Sequence, residues 1–460
     1  MSRSAQASQA RVQLPSTKER MSIGKGLRER VPRNDQGWWK AQPDRPDPIA
    51  LLARQNRERV KSLVPIRYAR MLQSPFGFLR GAAIVMAHDL AQTANTGLEV
   101  NACGDCHLAN FGGYATPERN FIFDINDFDE TLPAPWEWDL KRLAASAVVA
   151  GRSQGLPEDR CREAALAAAR HYREHTATLA RATALASWYS RLDVEQTLRD
   201  IAPNPKKLAR LRRGALRVQG RTPEVIVGKM TERVDGRRRF IDDPPFVYHA
   251  TVDHAHSAIM QAVVARYKTS LRADVRILFD QYRLVDVAVK VVGVGSVGTR
   301  CGVLLFMARE DDALILQTKE ATRSVLEICG TKSAYRNQGE RVVTGQRIMQ
   351  AASDEFLGWT AFSGHDYYIR QLRDMKATLQ LERLAGSSFA AYAEVCGRIL
   401  ARAHARSGRA AEISGYMGRG ERFDDAIARF ARKYADQTER DYALLRAAVK
   451  KGKIKVADSA

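Results

Sequence analysis

No stretch of this chain approaches the roughly 18–20 consecutive apolar residues that a membrane-spanning helix needs, so no membrane contact of that kind is expected. Its beginning, MSRSAQASQARVQLPSTKERMSIGKG, is basic and serine-rich with no apolar core behind it. That excludes the pattern of a secretory signal. Residues 1–40 read as a disordered basic lead-in, and the protein as cytoplasmic. Cysteine is scarce: Cys103, Cys106, Cys161, Cys301, Cys329 and Cys396 are scattered without the spacing of a disulfide framework, which fits a reducing compartment. Cys103 and Cys106 form one C-x-x-C, but the second pair that a structural zinc site requires is missing. Buried thiols are the simpler reading. No internal repeat and no low-complexity linker occurs.

The composition is that of a folded protein, 45% apolar and 27% charged, and 460 residues exceed one ordinary core, so two or three lobes are expected. The net charge of +21 is unevenly spread. Between Lys206 and Arg239 there are twelve Lys/Arg against three Asp/Glu, and no aromatic residue. Such a block can contact a polyanion or face water; without aromatics it lacks a platform for stacking on single strands.

Periodicity suggests an α+β chain. Residues 41–270 read as a mostly helical lobe, 271–376 as a β-rich lobe and 377–460 as C-terminal helices packing back on the first lobe. In the first lobe, a helix from about Phe76 places Leu79, Ala83, Met86 and Leu90 on one face. LEVNAC and NFIFDI read as short strands, WEWDLKRLAASAVVAGRS as a helix, and Glu158 to about Ala250 as mainly helical. Strands are expected at about 284–292, 301–309 and 313–320, then a helix from Gln338 to about Ser353 and a strand at DYYIRQL.

The acidic stretch GDCHLANFGGYATPERNFIFDINDFDE, residues 104–130, holds six carboxylates among apolar residues in a chain that is otherwise strongly basic. Asp105 and Asn110 stand in a D-x-x-x-x-N spacing, and Asp124, Asn126, Asp127 and Asp129 follow an apolar run. Asp, Asn and Gly are also what turns and caps use. Carboxylates gathered this closely repel, however, unless a divalent cation neutralises them, and a hard-oxygen set of this kind suits Mg²⁺ completed by water and phosphate.

GDCHLANFG, FDINDFDE and PWEWDLKRLAAS, with SPFGFLRGAA, VVGVGSVGTRC, QRIMQAASDEFLGW, YYIRQLRDMK and LARAHARSG, resemble the bacterial family called domain of unknown function 2252. The acidic motif is in turn similar to that of aminoglycoside phosphotransferases and other protein-kinase-like enzymes, whose catalytic loop reads H-G-D-x-H-x-x-N. That resemblance implies Asp105 as the catalytic Asp, Asn110 and Asp127, with Asp129, as metal ligands, and Asp139 as the residue that holds the loop. Cys103 stands where those enzymes have His. His107 either braces the loop or acts as a base, and Arg80 either pairs with a cluster carboxylate or is an exposed helix arginine.

A kinase-like enzyme also needs a nucleotide lid. Gly293, Gly295, Ser296 and Gly298 lie in a G-x-G-x-x-G followed by a strand rather than a helix, as in a kinase Gly-rich loop. Lys319 then ends the third strand where such enzymes place the lysine for the α/β phosphates. Glu340, or second Glu327, is expected as its acidic partner. The order is inverted, catalytic loop before glycine loop, and a circularly permuted, two-lobed kinase-like fold is expected, with LARAHARSG lying against the catalytic loop. The resulting expectation is a kinase-like ATP- and Mg²⁺-dependent phosphotransferase, or a nucleotidyl-transferring relative, with nucleotide and an unidentified hydroxyl acceptor as partners. Two others stand beside it: a nucleic-acid or polyanion binder acting through 206–239 with an inactive kinase-like site, and a metal-dependent phosphoesterase needing no Lys319.

Overall fold

The computed structural model describes residues 14–457 except 203, 221, 222, 250–253, 292, 294, 296, 311, 330, 373–376, 379 and 385. Ser16 and Glu19 cap each other reciprocally, and from that start the chain forms the helix Thr17–Arg30. Arg28 then donates to the Tyr416 and Gly415 carbonyls (2.8 and 2.6 Å), and Arg20 pairs with Glu412 at 2.9 Å. The expected disordered lead-in is thereby corrected over 14–40: S-T-K-E is a helix-start signature that basic composition obscured. Residues 1–13 lie outside the described residues.

The expected helix from Phe76 is divided into Pro75–Gly81 and Ala83–Ala91. At the break the Gly81 carbonyl accepts from Arg67 (2.7 Å). Four strands follow: β1 (Glu99–Ala102), β2 (Phe111–Ala115), β3 (Phe121–Ile125) and β4 (Leu132–Pro135). β1 pairs antiparallel with β4, and β2 with β3. These two ladders set the loop 103–110 beside the turn 126–131. The helix Trp136–Ser153 comes next and is buried on every side as far as Gly151, making it the axis of the helical lobe. It packs against Glu158–Leu179, Ser387–Ala405 and Arg422–Lys450 in one continuous apolar core.

The expectation of helix up to Ala250 fails at residue 231. β5 (Thr231–Val234) and β6 (Arg237–Phe240) form a hairpin around Asp235 and Gly236, both at positive φ. Asp-Gly is a strong hairpin signal, here hidden among arginines. β7 (Val247–Tyr248), β8 (Arg283–Lys290), β9 (Cys301–Arg309), β10 (Asp312–Glu320), β11 (Gly358–Phe362) and β12 (His365–Gln371) form a six-stranded antiparallel sheet in the order β11-β12-β10-β9-β8-β7. The helix Gln338–Met349 joins β10 to β11, and β13 (Ala377–Thr378) returns to pair with β2. The fold is α+β. Among the described residues no helix is long and apolar enough to cross a membrane.

Candidate active site

The loop between β1 and β2 is held from below. Asp139, in the first turn of the central helix, accepts hydrogen bonds from the Cys103 and Gly104 amides (2.6 and 2.9 Å). Gly104 is required here: its φ is +81°, and a Cβ would lie 2.5 Å from the Glu130 carbonyl oxygen. The Asp139 carboxylate also meets His404 Nε2 at 3.1 Å, and His404 Nδ1 meets the Tyr172 hydroxyl at 2.9 Å. Ser407 Oγ accepts from the Asn101 amide (2.8 Å). LARAHARSG therefore lies against the acidic loop, as expected.

Three residues further along that helix, Arg142 faces the same way as Asp139 and donates through Nε to Asp105 Oδ1 at 2.6 Å. Burial pushes the Asp105 carboxyl up to about 7, against the pull of Arg142 and with help from Glu130 and Asp127. Asn110 Nδ2 donates to the Asp105 carbonyl (2.6 Å), while its Oδ1 accepts no hydrogen bond among the described residues. His107 is 3% exposed, and burial, with Arg80 and Arg142 nearby, holds its pKa well below the usual value. Its Nε2 is 3.8 Å from Asp105 Oδ2, and its Nδ1 has no hydrogen-bond partner among the described residues. It is a neutral ring packed edge-on to Phe76. Asp124 turns away from this group: it is fully buried and bonded to Arg402 (2.5 Å) and the Ala351 amide (2.7 Å).

Across the cleft, Lys319 of β10 is 3% exposed, with Nζ 2.8 Å from Asp129 Oδ2 and 3.6 Å from Asp127 Oδ1. Burial pulls its pKa down, but the two carboxylates outweigh that and hold it well above the ordinary lysine value. Tyr368, the cross-strand neighbour of Lys319, donates its hydroxyl to Asp129 Oδ1 at 2.6 Å. Glu340 does not fill the partner role expected for it. Its amide is capped by Asn337, and the helix presents the next residue, Arg341, whose guanidinium binds the Asp129, Thr131 and Thr322 carbonyls. One residue turns a helix by about 100°, enough to send Glu340 elsewhere. Glu327, the second choice, accepts from the Ser333 amide (3.4 Å) instead.

The glycine bend joins β8 to β9, as expected, and Gly293 and Gly295 line a cavity of about 100 Å³ together with Asp105, Asn110, Asp127 and Asp129. Gly298 (φ +91°) packs on the Arg59 side chain, and its carbonyl accepts from the Val60 amide (2.8 Å). Ser296 lies outside the described residues. A larger cavity of about 870 Å³ opens on the other side of Lys319, between Gly293, Asn126, Asp127, Arg370 and the helix Pro223–Met230. Lys229 of that helix lines it, so part of the basic segment forms a cleft wall, while Arg212 and Arg233 pair with Glu195 and Glu310.

Sequence reasoning placed Asp105, Asn110, Asp127, Asp129, Lys319 and two glycines, and the fold brings these together. It missed Arg142, although the i, i+3 spacing to Asp139 signals a shared face, and it missed Tyr368. Arg80 pairs with no carboxylate among the described residues. Cys103 and Cys106 are buried thiols, and no group of three His, Cys, Asp or Glu forms a preformed metal cage among the described residues.

A family model described as an uncharacterized protein conserved in bacteria (DUF2252) matches residues 59–448. No curated protein and no solved structure matches the chain.

Proposed function

Because the chain belongs to the bacterial DUF2252 family, whose description carries no activity, we propose from the site itself that the protein is an ATP- and Mg²⁺-dependent phosphotransferase acting on a hydroxyl acceptor. The observation that carries this reading is the Lys319–Asp129 contact, which joins the strand after a glycine bend to an acidic turn also bearing Asp127, beside Asp105 and Asn110. A phosphoesterase has no need of that lysine.

The donor set fits a magnesium ion. Mg²⁺ takes one or two carboxylates and fills its octahedron with water and phosphate oxygens, so Asp127 and the unpartnered Asn110 Oδ1 suffice where a three-carboxylate cage is lacking. Bound there, the ion would neutralise charge on the phosphate oxygens. Lys319, partly released from Asp129, would hold the α/β phosphates, and the backbone at Gly293 and Gly295 leaves room for them. Asp105 would take the proton of the acceptor hydroxyl, whose oxygen attacks the terminal phosphorus as ADP leaves. A carboxyl poised near 7 suits a proton acceptor working at neutral pH. His107, neutral and enclosed, is left as packing against Phe76 rather than as the base. In this reading the fold is kinase-like and circularly permuted, with the helix carrying His404 in the place of the one that normally leads into the catalytic loop, and the setting is cytoplasmic.

Titration calorimetry tests the reading. Asp127→Ala should lose Mg²⁺-dependent ATP binding while its circular dichroism stays that of the wild type; unchanged ATP binding by that variant would remove Asp127 from the site and the reading with it.

A further inference from the structure

Opposite the acidic cluster, three arginines reach the 100 Å³ cavity that Asp105, Asp127, Gly293 and Gly295 also line. None takes part in the chemistry above. Arg67 is completely buried; it donates to Asn56, to Gln55 Oε1 (2.6 Å) and to the Gly81 carbonyl (2.7 Å), all of them neutral, and its Nε has no partner. Arg59 donates to the Val297 carbonyl, and its buried Nε is likewise unpartnered. Among the described residues the buried Nε of Arg80 has no partner, and its guanidinium lies 5.9 Å from the Phe76 ring centroid.

No carboxylate forms an ion pair with any of the three among the described residues. Five acidic groups line the same cavity, and each has another partner: Asp105 with Arg142, Asp129 with Lys319, Asp127 with Lys319 at the longer distance of 3.6 Å, Glu320 with Arg300 at 3.0 Å, and Glu130 with the Val325 amide at 2.7 Å. Glu130 and Asp105 act on the arginines only at longer range. Arginine does not discharge in proteins, so Arg67, fully buried, and Arg59 and Arg80, each half-buried with a buried Nε, keep their charge at the cavity without a paired carboxylate among the described residues, an arrangement that an anion would relieve. Their segment is fastened to the glycine bend: Arg70 donates to the Gly293 carbonyl, Val60 to that of Gly298, and Gly295 packs on the Arg80 carbonyl. The cavity holds a few water volumes, room enough for one tetrahedral oxyanion.

We propose that Arg59, Arg67 and Arg80 form a pocket for a phosphoryl oxyanion, seated between the arginines and the metal-binding side of the acidic loop. Planar guanidinium forks suit phosphate oxygens, and a phosphoryl group held by them in this cavity would also be within reach of a cation on the acidic loop that lines it. The phosphoryl group is either the terminal phosphate of the nucleotide or one already carried by the acceptor. That choice rests on the phosphotransferase reading; the anion pocket does not.

The test is binding of inorganic phosphate to the full chain, by calorimetry and thermal melting, without nucleotide or Mg²⁺. The wild type should bind phosphate and melt higher in its presence. Arg80→Met and Arg59→Met should bind it at least about tenfold more weakly, the loss of one charge-assisted contact. Arg80 makes no side-chain hydrogen bond among the described residues, so in phosphate-free buffer Arg80→Met should melt at or above the wild type, which separates a lost ligand from a damaged fold. Phosphate competing with ATP but not with ADP assigns the pocket to the nucleotide's terminal phosphate; phosphate bound equally well in protein saturated with Mg²⁺ and a non-hydrolysable ATP analogue assigns it to the acceptor. Absence of phosphate binding by the wild type, or equal binding by both variants, overturns the pocket even where ATP binds. Phosphate binding in a chain that takes no ATP upholds the pocket and rejects the phosphotransferase reading.

Discussion

Lys319 and Asp129, 190 residues apart in the chain, meet at 2.8 Å across the cleft between the six-stranded sheet and the acidic turn. Lys319 is buried and Asp129 only partly so, which makes the ammonium the more dependent partner. Removing one member of such a pair leaves the other charge uncompensated.

Lys319→Met should therefore destabilise the protein by about 1 kcal/mol in urea unfolding: Asp127 and Asp129 lose their cation, but both carboxylates are partly open to water, which screens them. Millimolar Mg²⁺ should recover more stability in this variant than in the wild type, since the ion takes over the ammonium's task. Equal response of the two chains to Mg²⁺ would argue against a cation site at this turn.

Asp105 sets a pH dependence. Burial raises its carboxyl from 3.8 to about 7, opposed by Arg142 and assisted by Glu130 and Asp127. An acid whose pKa is raised in the folded state favours folding below its unfolded pKa, and that contribution is lost as pH climbs through the folded value. Asp105→Asn cannot ionise, so its melting temperature should gain on the wild type between pH 4 and pH 7 and run parallel above that. Nucleotide turnover by the wild type should rise through about pH 7 as the carboxylate forms. Melting curves at several pH values that stay parallel throughout would contradict the assignment.

Asp139 carries the loop. Its carboxylate serves two amides and His404, and replacing it with Ala strands buried donors, at a cost of about 3 kcal/mol. Asp139→Ala should lower stability and turnover together. His404→Gln, which leaves both amide bonds in place, should lower stability less and retain most turnover.

The parts of this architecture that could be read in advance are those with strong local signals. β8, β9 and β10 lie within a residue or two of the expected strands because Val, Ile and Leu are dense there and Gly and Asp-Asp mark the turns. The acidic site was legible because D-x-x-x-x-N and the Asp-rich turn follow short apolar runs, and those runs pair as strands that carry the two loops together. Non-local contacts were not. The break at Ala82 depends on Arg67 reaching the Gly81 carbonyl, and the substitution of Asp129 for Glu340 as the partner of Lys319 depends on the rotation of one helix against the sheet. The arginine pocket is assembled from residues whose meeting with the glycine bend, more than 200 positions later, leaves no periodic trace.

The account stands most directly on thermal melting of the wild type with ATP alone, Mg²⁺ alone and both together, since a ligand that binds the folded state raises the melting temperature by mass action. The prediction is a rise with both together that exceeds the sum of the separate effects and disappears in Asp127→Ala. Curves that coincide in all conditions would contradict a nucleotide–metal site between Lys319 and the acidic turn.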